Sequence, residues 1–229
     1  MGGDTLAGRW EAVRARVAAA CRAAGRDASE VRILPVSKTH PPEVLAQALA
    51  MGMRRFGENR VQELRDKAAA LEGRGIDWVL IGHLQTNKAK YVARLAAEVQ
   101  SLDRLDLAQA LQDRLDKEDR TLDVLVQVKT SPEPSKHGLP PVELPGFLER
   151  LHDYPRLKVR GLMTMAVQSD DETAVRACFR MLRDLRDCAQ GGGHELPRLS
   201  MGMSGDYPLA IAEGSTEVRI GTAIFGVRS

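Results

Sequence analysis

One lysine stands where it could carry out amine chemistry. Lys38 follows almost directly after the apolar run 33–36, which is typical of a buried β-strand. An ammonium partly desolvated at such a strand end has a lowered pKa, and the neutral amine attacks an aldehyde to give an imine. A solvated lysine in the loop after the strand is the alternative that position alone leaves open.

Two segments near the end of the chain are rich in glycine and hydroxyl side chains. Residues 200–205 and 214–222 flank the last two predicted strands. In α/β barrels this position often binds phosphate through backbone N–H groups, because glycine permits close approach and Ser or Thr adds donors. Such segments can also serve only to turn the chain. Combined with Lys38, they predict a site for a phosphorylated aldehyde.

The elements that must position these residues alternate along the chain. A first amphipathic helix has its apolar positions at Leu6, Trp10, Val13, Val17, Cys21 and Ala24. Helical stretches then separate eight apolar runs, at 31–36, 55–56, 78–81, 99–102, 124–128, 159–165, 199–203 and 218–220. This alternation predicts an α/β fold, a single (β/α)8 TIM-type barrel with an extra N-terminal helix. An open doubly wound sheet is the alternative. We expect one domain over 1–229, with the helix within 1–28 packed on it.

Polar residues recur where the predicted strands end, which is where barrels of this kind place their active sites. Asn59 follows the second strand, His83 the third, Lys129 the fifth and Ser204 the seventh, and Arg219 lies on the eighth. The carboxyl ends of the strands are therefore the expected location of a site.

Composition argues against several classes of function. The chain has 33 basic and 31 acidic residues, so its formal net charge of +2 indicates neither nucleic acid nor an anionic membrane as a partner. No apolar run approaches the roughly 20 residues of a membrane span, and no Cys/His spacing indicates a metal site. Cys21, Cys178 and Cys188 are expected to be reduced thiols in a cytoplasmic protein. No heptad pattern is present, so we expect a monomer.

Several long stretches resemble the pyridoxal phosphate homeostasis protein family, whose fold is similar to the alanine racemase barrel. They are VSKT at 36–39, FGENRVQE at 56–63, IGHLQTNK at 81–88, GLMTM at 161–165, LSMGMS at 199–204 and the segment 214–226. These stretches span nearly the whole chain after the first helix. One part departs from the family pattern, because Lys129 stands where an asparagine is common.

The resemblance implies a site for pyridoxal 5′-phosphate (PLP), held as a Schiff base on Lys38. It also implies that Arg219 faces the pyridine nitrogen and that Asn59 and His83 line the pocket. The residues expected around the phosphate are Ser200, Ser204, Gly221 and Thr222. For His83, a hydrogen-bonded structural histidine is the alternative. In the matching loop 135–138, Lys136 is either a solvated lysine or a second amine that relays the cofactor.

The resemblance implies a carrier that buffers PLP in vitamin B6 homeostasis and delivers it to apo PLP-dependent enzymes, without robust catalysis of its own. An arginine opposite the ring nitrogen offers only donors, so it would leave PLP a weak electron sink. A PLP-dependent amino-acid racemase is the alternative. It usually needs a tyrosine base, and none of Tyr91, Tyr154 and Tyr207 lies in a stretch matching one. A Schiff-base aldolase is a third possibility, although its lysine usually lies on a later strand.

Overall fold

The computed structural model describes residues 5–134 and 136–226. Within these ranges it has eight strands: β1 Arg32–Pro35, β2 Arg55–Glu58, β3 Asp77–Leu80, β4 Ala96–Leu102, β5 Leu122–Gln127, β6 Leu157–Met163, β7 Arg198–Ser200 and β8 Glu217–Ile220. All paired strands are parallel, in the order β1-β8-β7-β6-β5-β4-β3-β2. The predicted barrel with an extra N-terminal helix is confirmed.

Helices precede, separate and follow the strands in the same described ranges. They are α1 Leu6–Ala23, α2 Pro42–Ala50, α3 Val61–Ala70, α4 Ala89–Leu95, α5 Leu105–Lys117, α6 Leu144–Leu151, α7 Glu172–Gly191, α8 Tyr207–Ala212 and α9 Thr222–Phe225, with short 3₁₀ turns at Ala28–Glu30, Thr86–Lys88 and Pro141–Glu143. Local sequence explains several starts. The Asp171 carboxylate accepts the N–H of Thr173 at the start of α7, and proline occupies the first turn of α2.

The strands are buried on both faces, which explains why they appear in the sequence as continuous apolar runs. Val124, Leu125 and Val126 follow one another on β5, and none is exposed. Residues facing outward pack under the helices, whereas residues facing inward fill the barrel. The interior is a packed core, and a cavity opens above it at the carboxyl ends of the strands.

Barrel closure differs between the two sides of β1. This strand pairs with β8 along its whole length, from Arg32 opposite Glu217 to Pro35 opposite Ile220. On the side of β2, the described residues show only a bridge between Val36 and Gly57, in which the Ser37 N–H donates to the Gly57 carbonyl at 3.0 Å. The barrel therefore closes just beyond the end of β1, directly before Lys38.

Helix α1 packs across the last elements of the chain. Its buried side includes Val13, Val17 and Cys21, and the Arg9 Nε–H donates to the Ile224 carbonyl of α9 at 2.9 Å. The extent of a single domain over 1–229 stays a prediction, since the structure does not describe both ends of the chain. Within the described part of the chain, no helix combines the length and apolar character needed to cross a membrane.

Two predicted strands extend too far into the loops. The apolar run 159–165 forms a strand only to Met163, and the run 199–203 only to Ser200. Met165 and Met203, which follow, line a cavity at the barrel mouth instead of continuing the sheet. Apolar character alone does not distinguish a strand residue from a cavity wall, which explains the difference.

Replacing Gly161 by alanine tests the packing of β6 against β7. An added Cβ would lie 1.9 Å from the Arg198 carbonyl oxygen, so the two strands would have to separate. We expect the free energy of unfolding to fall by about 2–4 kcal/mol, measured by urea denaturation. Gly146→Ala is the control, because nothing lies within 4 Å of its added Cβ on α6 and alanine favours a helix. Equal stability of the two variants would contradict this packing.

Candidate functional site at the carboxyl ends of the strands

A cavity of about 490 Å³ opens at the carboxyl ends of the strands. This volume falls within the usual range for small-molecule sites. The structure brings most of the predicted site residues together in the wall of the cavity, namely Lys38, Asn59, Ser204, Arg219, Gly221 and Thr222. Ser200 and His83 are not among the lining residues. Polar groups from the first, second, seventh and eighth strand ends therefore share one space.

Lys38 is exposed at the mouth of this cavity, which corrects the expectation of a partly buried ammonium. The reason is local geometry. The strand ends at Pro35, and residues 37–40 form a turn in which the His40 N–H donates to the Ser37 carbonyl at 3.1 Å. Thr39 has a φ of +68°, an uncommon value for a β-branched residue. The lysine therefore projects from a turn beyond the strand.

Buried side chains fix this turn from below. The Ser37 hydroxyl donates to Glu58 Oε1 at 2.6 Å, and Lys67 Nζ donates to the same oxygen at 2.6 Å and to the Ser37 carbonyl at 2.8 Å. On the far side, the Thr39 N–H donates to Glu63 Oε2 at 2.6 Å. The residues on both sides of Lys38 are thus held by α3 and the end of β2.

The Glu58–Lys67 pair is almost inaccessible to water, since Glu58 is 0% and Lys67 5% exposed. Burial raises the pKa of Glu58, while the hydrogen bonds from Lys67 and Ser37 oppose the rise. Glu58 Oε2 is buried without a hydrogen-bond partner in the described residues. Sequence reasoning missed Lys67, although it follows Val61 and Leu64 at helical spacing on the buried side of α3. A lysine on an apolar stripe was the signal.

Arg219 contributes the buried cation of the site. Its side chain reaches the cavity from β8 and is only 4% exposed. Nη1 donates to the Ser200 carbonyl at 2.7 Å and to its hydroxyl at 2.9 Å, while Nη2 donates to the Thr164 carbonyl at 2.8 Å. Burial lowers the pKa of Arg219 to about 10, opposed by Glu217 and Asp206. The guanidinium is therefore a cation at neutral pH.

Ser200 is placed differently from the expectation that it surrounds a phosphate. Its side chain is 0% exposed, and its hydroxyl donates to Gln100 Oε1 at 2.7 Å while accepting from Arg219. The hydroxyl points into the barrel because Ser200 is the last residue of β7 and faces the core. It supports Arg219 from beneath and does not line the cavity.

The remaining predicted anion-binding residues lie together in the wall. Gly221 and Thr222 follow β8, and Ser204 lies in the loop after β7. A Cβ added to Gly221 would lie 3.0 Å from the Val36 carbonyl oxygen, a tight contact, so glycine favours the close approach of these segments. The Asp206 carboxylate accepts the Met203 N–H at 2.6 Å and closes the other loop. Burial raises the pKa of Asp206.

His83 lies beside the cavity, outside its wall, which corrects the expectation that it lines the pocket. Its ring stacks on His137 with centroids 4.4 Å apart, and its Nδ1 is 3.9 Å from Asp103 Oδ2. Burial and the neighbouring His137 lower the pKa of His83. The contact with His137 holds the ring at the rim.

The two loop lysines are also outside the described cavity wall. Lys136 Nζ is 3.8 Å from Glu133 Oε2, and its side chain is 22% exposed. Lys129 is half-buried, and its backbone N–H donates to the Leu139 carbonyl at 2.9 Å. Ser135, in the same loop, lies outside the described residues. The structure therefore provides Lys38 as the amine in the wall.

The residues present fit PLP. Lys38 offers an amine, and Arg219 offers N–H donors that have no acceptor in the described part of the chain. Gly221, in the cavity wall, allows the segment after β8 to approach Val36 closely. Apolar wall residues, including Ile81, Met163 and Met203, suit a planar ring, and sequence reasoning missed their role because they were assigned to strands and core.

Comparison with known proteins identifies a family and close relatives. The model of the alanine racemase N-terminal domain family matches residues 9–229. A pyridoxal phosphate homeostasis protein of Aquifex aeolicus is 43% identical, over 96% of this chain and 97% of its own length. The structure of PipY from Synechococcus elongatus PCC7942 with PLP bound is 34% identical, with a TM-score of 0.84, and covers 97% of this chain and 100% of PipY.

More distant structures share the fold alone. Alanine racemase from Streptomyces coelicolor is 16% identical, with a TM-score of 0.70. The match covers 95% of this chain but only 58% of the racemase. The matched region is therefore little more than half of the racemase.

Replacing Lys67 by methionine tests the buried pair beneath Lys38. Because the folded-state pKa of Glu58 is raised, this carboxyl favours folding at low pH and loses that contribution as pH rises through its folded pKa. Without Lys67 the pKa rises further. We expect urea denaturation to show a loss of about 3–5 kcal/mol near pH 8 and a smaller loss near pH 5.

Two further variants make this test specific. Adding Glu58→Gln to Lys67→Met should recover more than half of the lost stability near pH 8, because it removes the unpaired charge. Lys117→Met, on an exposed position of α5, is the matched control and should be neutral. A loss independent of pH, with no recovery in the double variant, would rule out the electrostatic account.

Proposed function

The chain belongs to the alanine racemase N-terminal domain family and, within it, to the pyridoxal phosphate homeostasis proteins, and on this premise we propose that it binds PLP in the cavity at the strand ends and serves PLP homeostasis. One observation carries the proposal. A single cavity is lined by a primary amine, a buried guanidinium and glycine- and hydroxyl-bearing segments. These groups correspond to the aldehyde, the ring nitrogen and the phosphate of PLP.

Each part of the cavity has a role in this proposal. Lys38 Nζ is the amine that forms the Schiff base, and Arg219 donates towards the ring nitrogen. Ser204, Gly221 and Thr222 offer backbone and hydroxyl donors to the phosphate, and Asn59 lines the wall beside Lys38. When bound, PLP supplies an aldehyde that exchanges reversibly between amines. The protein supplies the geometry and the charges around it.

The nature of Arg219 supports holding the cofactor over catalysis. A guanidinium has donors only, and its positive charge opposes protonation of a neighbouring ring nitrogen. An unprotonated ring withdraws electrons weakly, which disfavours the carbanion chemistry of PLP enzymes. We therefore propose that the protein has no robust catalytic activity of its own.

The exposure of Lys38 supports release to other proteins. An amine at an open mouth is accessible to a second amine arriving from solvent, whereas a buried one would require the barrel to open. We propose that apo PLP-dependent enzymes receive the cofactor from this position. We propose that the protein is cytoplasmic, where thiols stay reduced; Cys21, Cys178 and Cys188 are free in the structure. We also propose that it is a monomer.

Replacing Lys38 by alanine tests the binding proposal. The purified wild-type protein, incubated with PLP, should show a visible absorption band, and borohydride reduction should leave a label that peptide mapping assigns to Lys38. Lys38→Ala should lose the band and the label, because no other amine lines the described part of the cavity. Lys117→Ala, which removes an exposed lysine of α5, should keep both. A trapped adduct on another lysine would overturn the assignment.

A polarimetric assay tests the proposal against a racemase. Optically pure alanine, serine and the other common amino acids, each incubated with PLP-loaded protein, should keep their optical rotation. The reason is that a racemase usually needs a tyrosine base, and no tyrosine lines the described cavity. A loss of rotation with wild-type protein, absent in Lys38→Ala, would establish racemase activity.

A further inference from the structure

A chain of buried polar side chains runs through the barrel beneath the cavity. Gln100 lies on β4 and is 0% exposed, with Glu98 and Glu217 below it and Ser200 above it, each at most 1% exposed. Its Nε2 donates to Glu98 Oε1 at 2.7 Å and to Glu217 Oε1 at 2.5 Å. Both hydrogens of the amide are thereby committed to carboxylates.

The two glutamates remain acceptors because arginines accompany them. Arg198 pairs with Glu98 and donates to Glu217 Oε2 at 2.9 Å, and Arg55 Nη2 lies 2.7 Å from Glu98 Oε1. Burial alone would raise the pKa of Glu98, but the ion pairs with these arginines lower it overall. An ionised carboxylate accepts hydrogen bonds and cannot donate them.

These carboxylates determine the direction of every bond above them. The opposite orientation of the Gln100 amide would place its carbonyl oxygen against two negative groups. Oε1 therefore faces Ser200 and accepts the hydroxyl hydrogen at 2.7 Å. The Ser200 oxygen is then left to accept from Arg219 Nη1 at 2.9 Å. No hydrogen of the Gln100 amide or of the Ser200 hydroxyl therefore points towards Arg219.

We propose that Gln100 is a positioning residue that, through Ser200, holds Arg219 with its free donors towards the pyridine nitrogen of PLP and so keeps that nitrogen unprotonated. The inference rests on the proposed function and adds the residues that set the state of the ring. A guanidinium has five N–H groups, and Ser200 and Thr164 take three of them. The other two have no acceptor in the described part of the chain.

Loss of Gln100 removes this control. In Gln100→Leu the Ser200 hydroxyl no longer has its acceptor and turns, so Arg219 loses a hydrogen bond and is free to move from the ring. Ser200→Ala removes the same bond while leaving Gln100 and the carboxylates in place. Ser200→Thr keeps a hydroxyl and should restore the behaviour of the wild type.

The experiment uses PLP labelled with ¹⁵N in the ring, bound to the full chain. In the wild type, the ring ¹⁵N resonance should stay at the unprotonated position from about pH 6 to about pH 9. In Gln100→Leu and Ser200→Ala it should move towards the pyridinium position as the pH falls, and PLP affinity should drop about ten- to hundredfold. Gln112→Leu, a buried glutamine of α5 that contacts Asp116 and Arg156, is the control and should match the wild type.

The outcomes separate the two proposals. Failure of the wild type to take up labelled PLP would refute the proposed function itself. Uptake with an unchanged ring resonance in both Gln100→Leu and Ser200→Ala would refute only the positioning role. If Gln100→Leu does not fold, the comparison of Ser200→Ala with Ser200→Thr tests the positioning role. Both Ser200 variants keep the Gln100 amide between the two glutamates.

Discussion

The closure of the barrel between β1 and β2 is the constraint on which the site depends. The described residues join these strands by one isolated bridge, between Val36 and Gly57, and the Ser37–Glu58–Lys67 contacts complete the junction. Lys38 comes directly after it. Because the Lys38 amine is exposed, packing does not fix its position. Its position depends on the hydrogen bonds that hold Ser37 and Thr39 on either side. The contacts that join β1 to β2 and stabilise the fold are therefore the same contacts that position Lys38.

A second polar cluster, inside the barrel, performs the corresponding task for Arg219. Apolar side chains could fill the same volume, and a fully apolar interior is often as stable as a buried ionic one. The Glu98–Gln100–Glu217 arrangement instead fixes the direction of the hydrogen bonds above it. Ionised carboxylates only accept, so Gln100 must donate to them and accept from Ser200. The buried polar side chains thus link the core of the barrel to Arg219, the cation in the cavity wall.

The two supports have different consequences for function. In the proposed function the buried Arg219 keeps the PLP ring unprotonated, whereas the Lys38 amine is open to solvent at the mouth. PLP-dependent transamination and decarboxylation need the cofactor to act as a strong electron sink. A protein that buffers and delivers the cofactor does not need this, and the proposed role of Arg219 agrees with that difference.

The sequence by itself determined an α/β fold and predicted the barrel over an open doubly wound sheet, because its eight apolar runs alternate with amphipathic stretches. It also indicated Lys38 and Arg219 through their place at strand ends. Only the tertiary structure decided the orientation of side chains. It turned the Ser200 hydroxyl into the core, placed His83 beside His137 and brought Lys67 under the Lys38 turn. The physical reason is that periodicity reports which face of an element is buried, whereas a hydrogen-bond partner from a distant strand exists only once the barrel has closed.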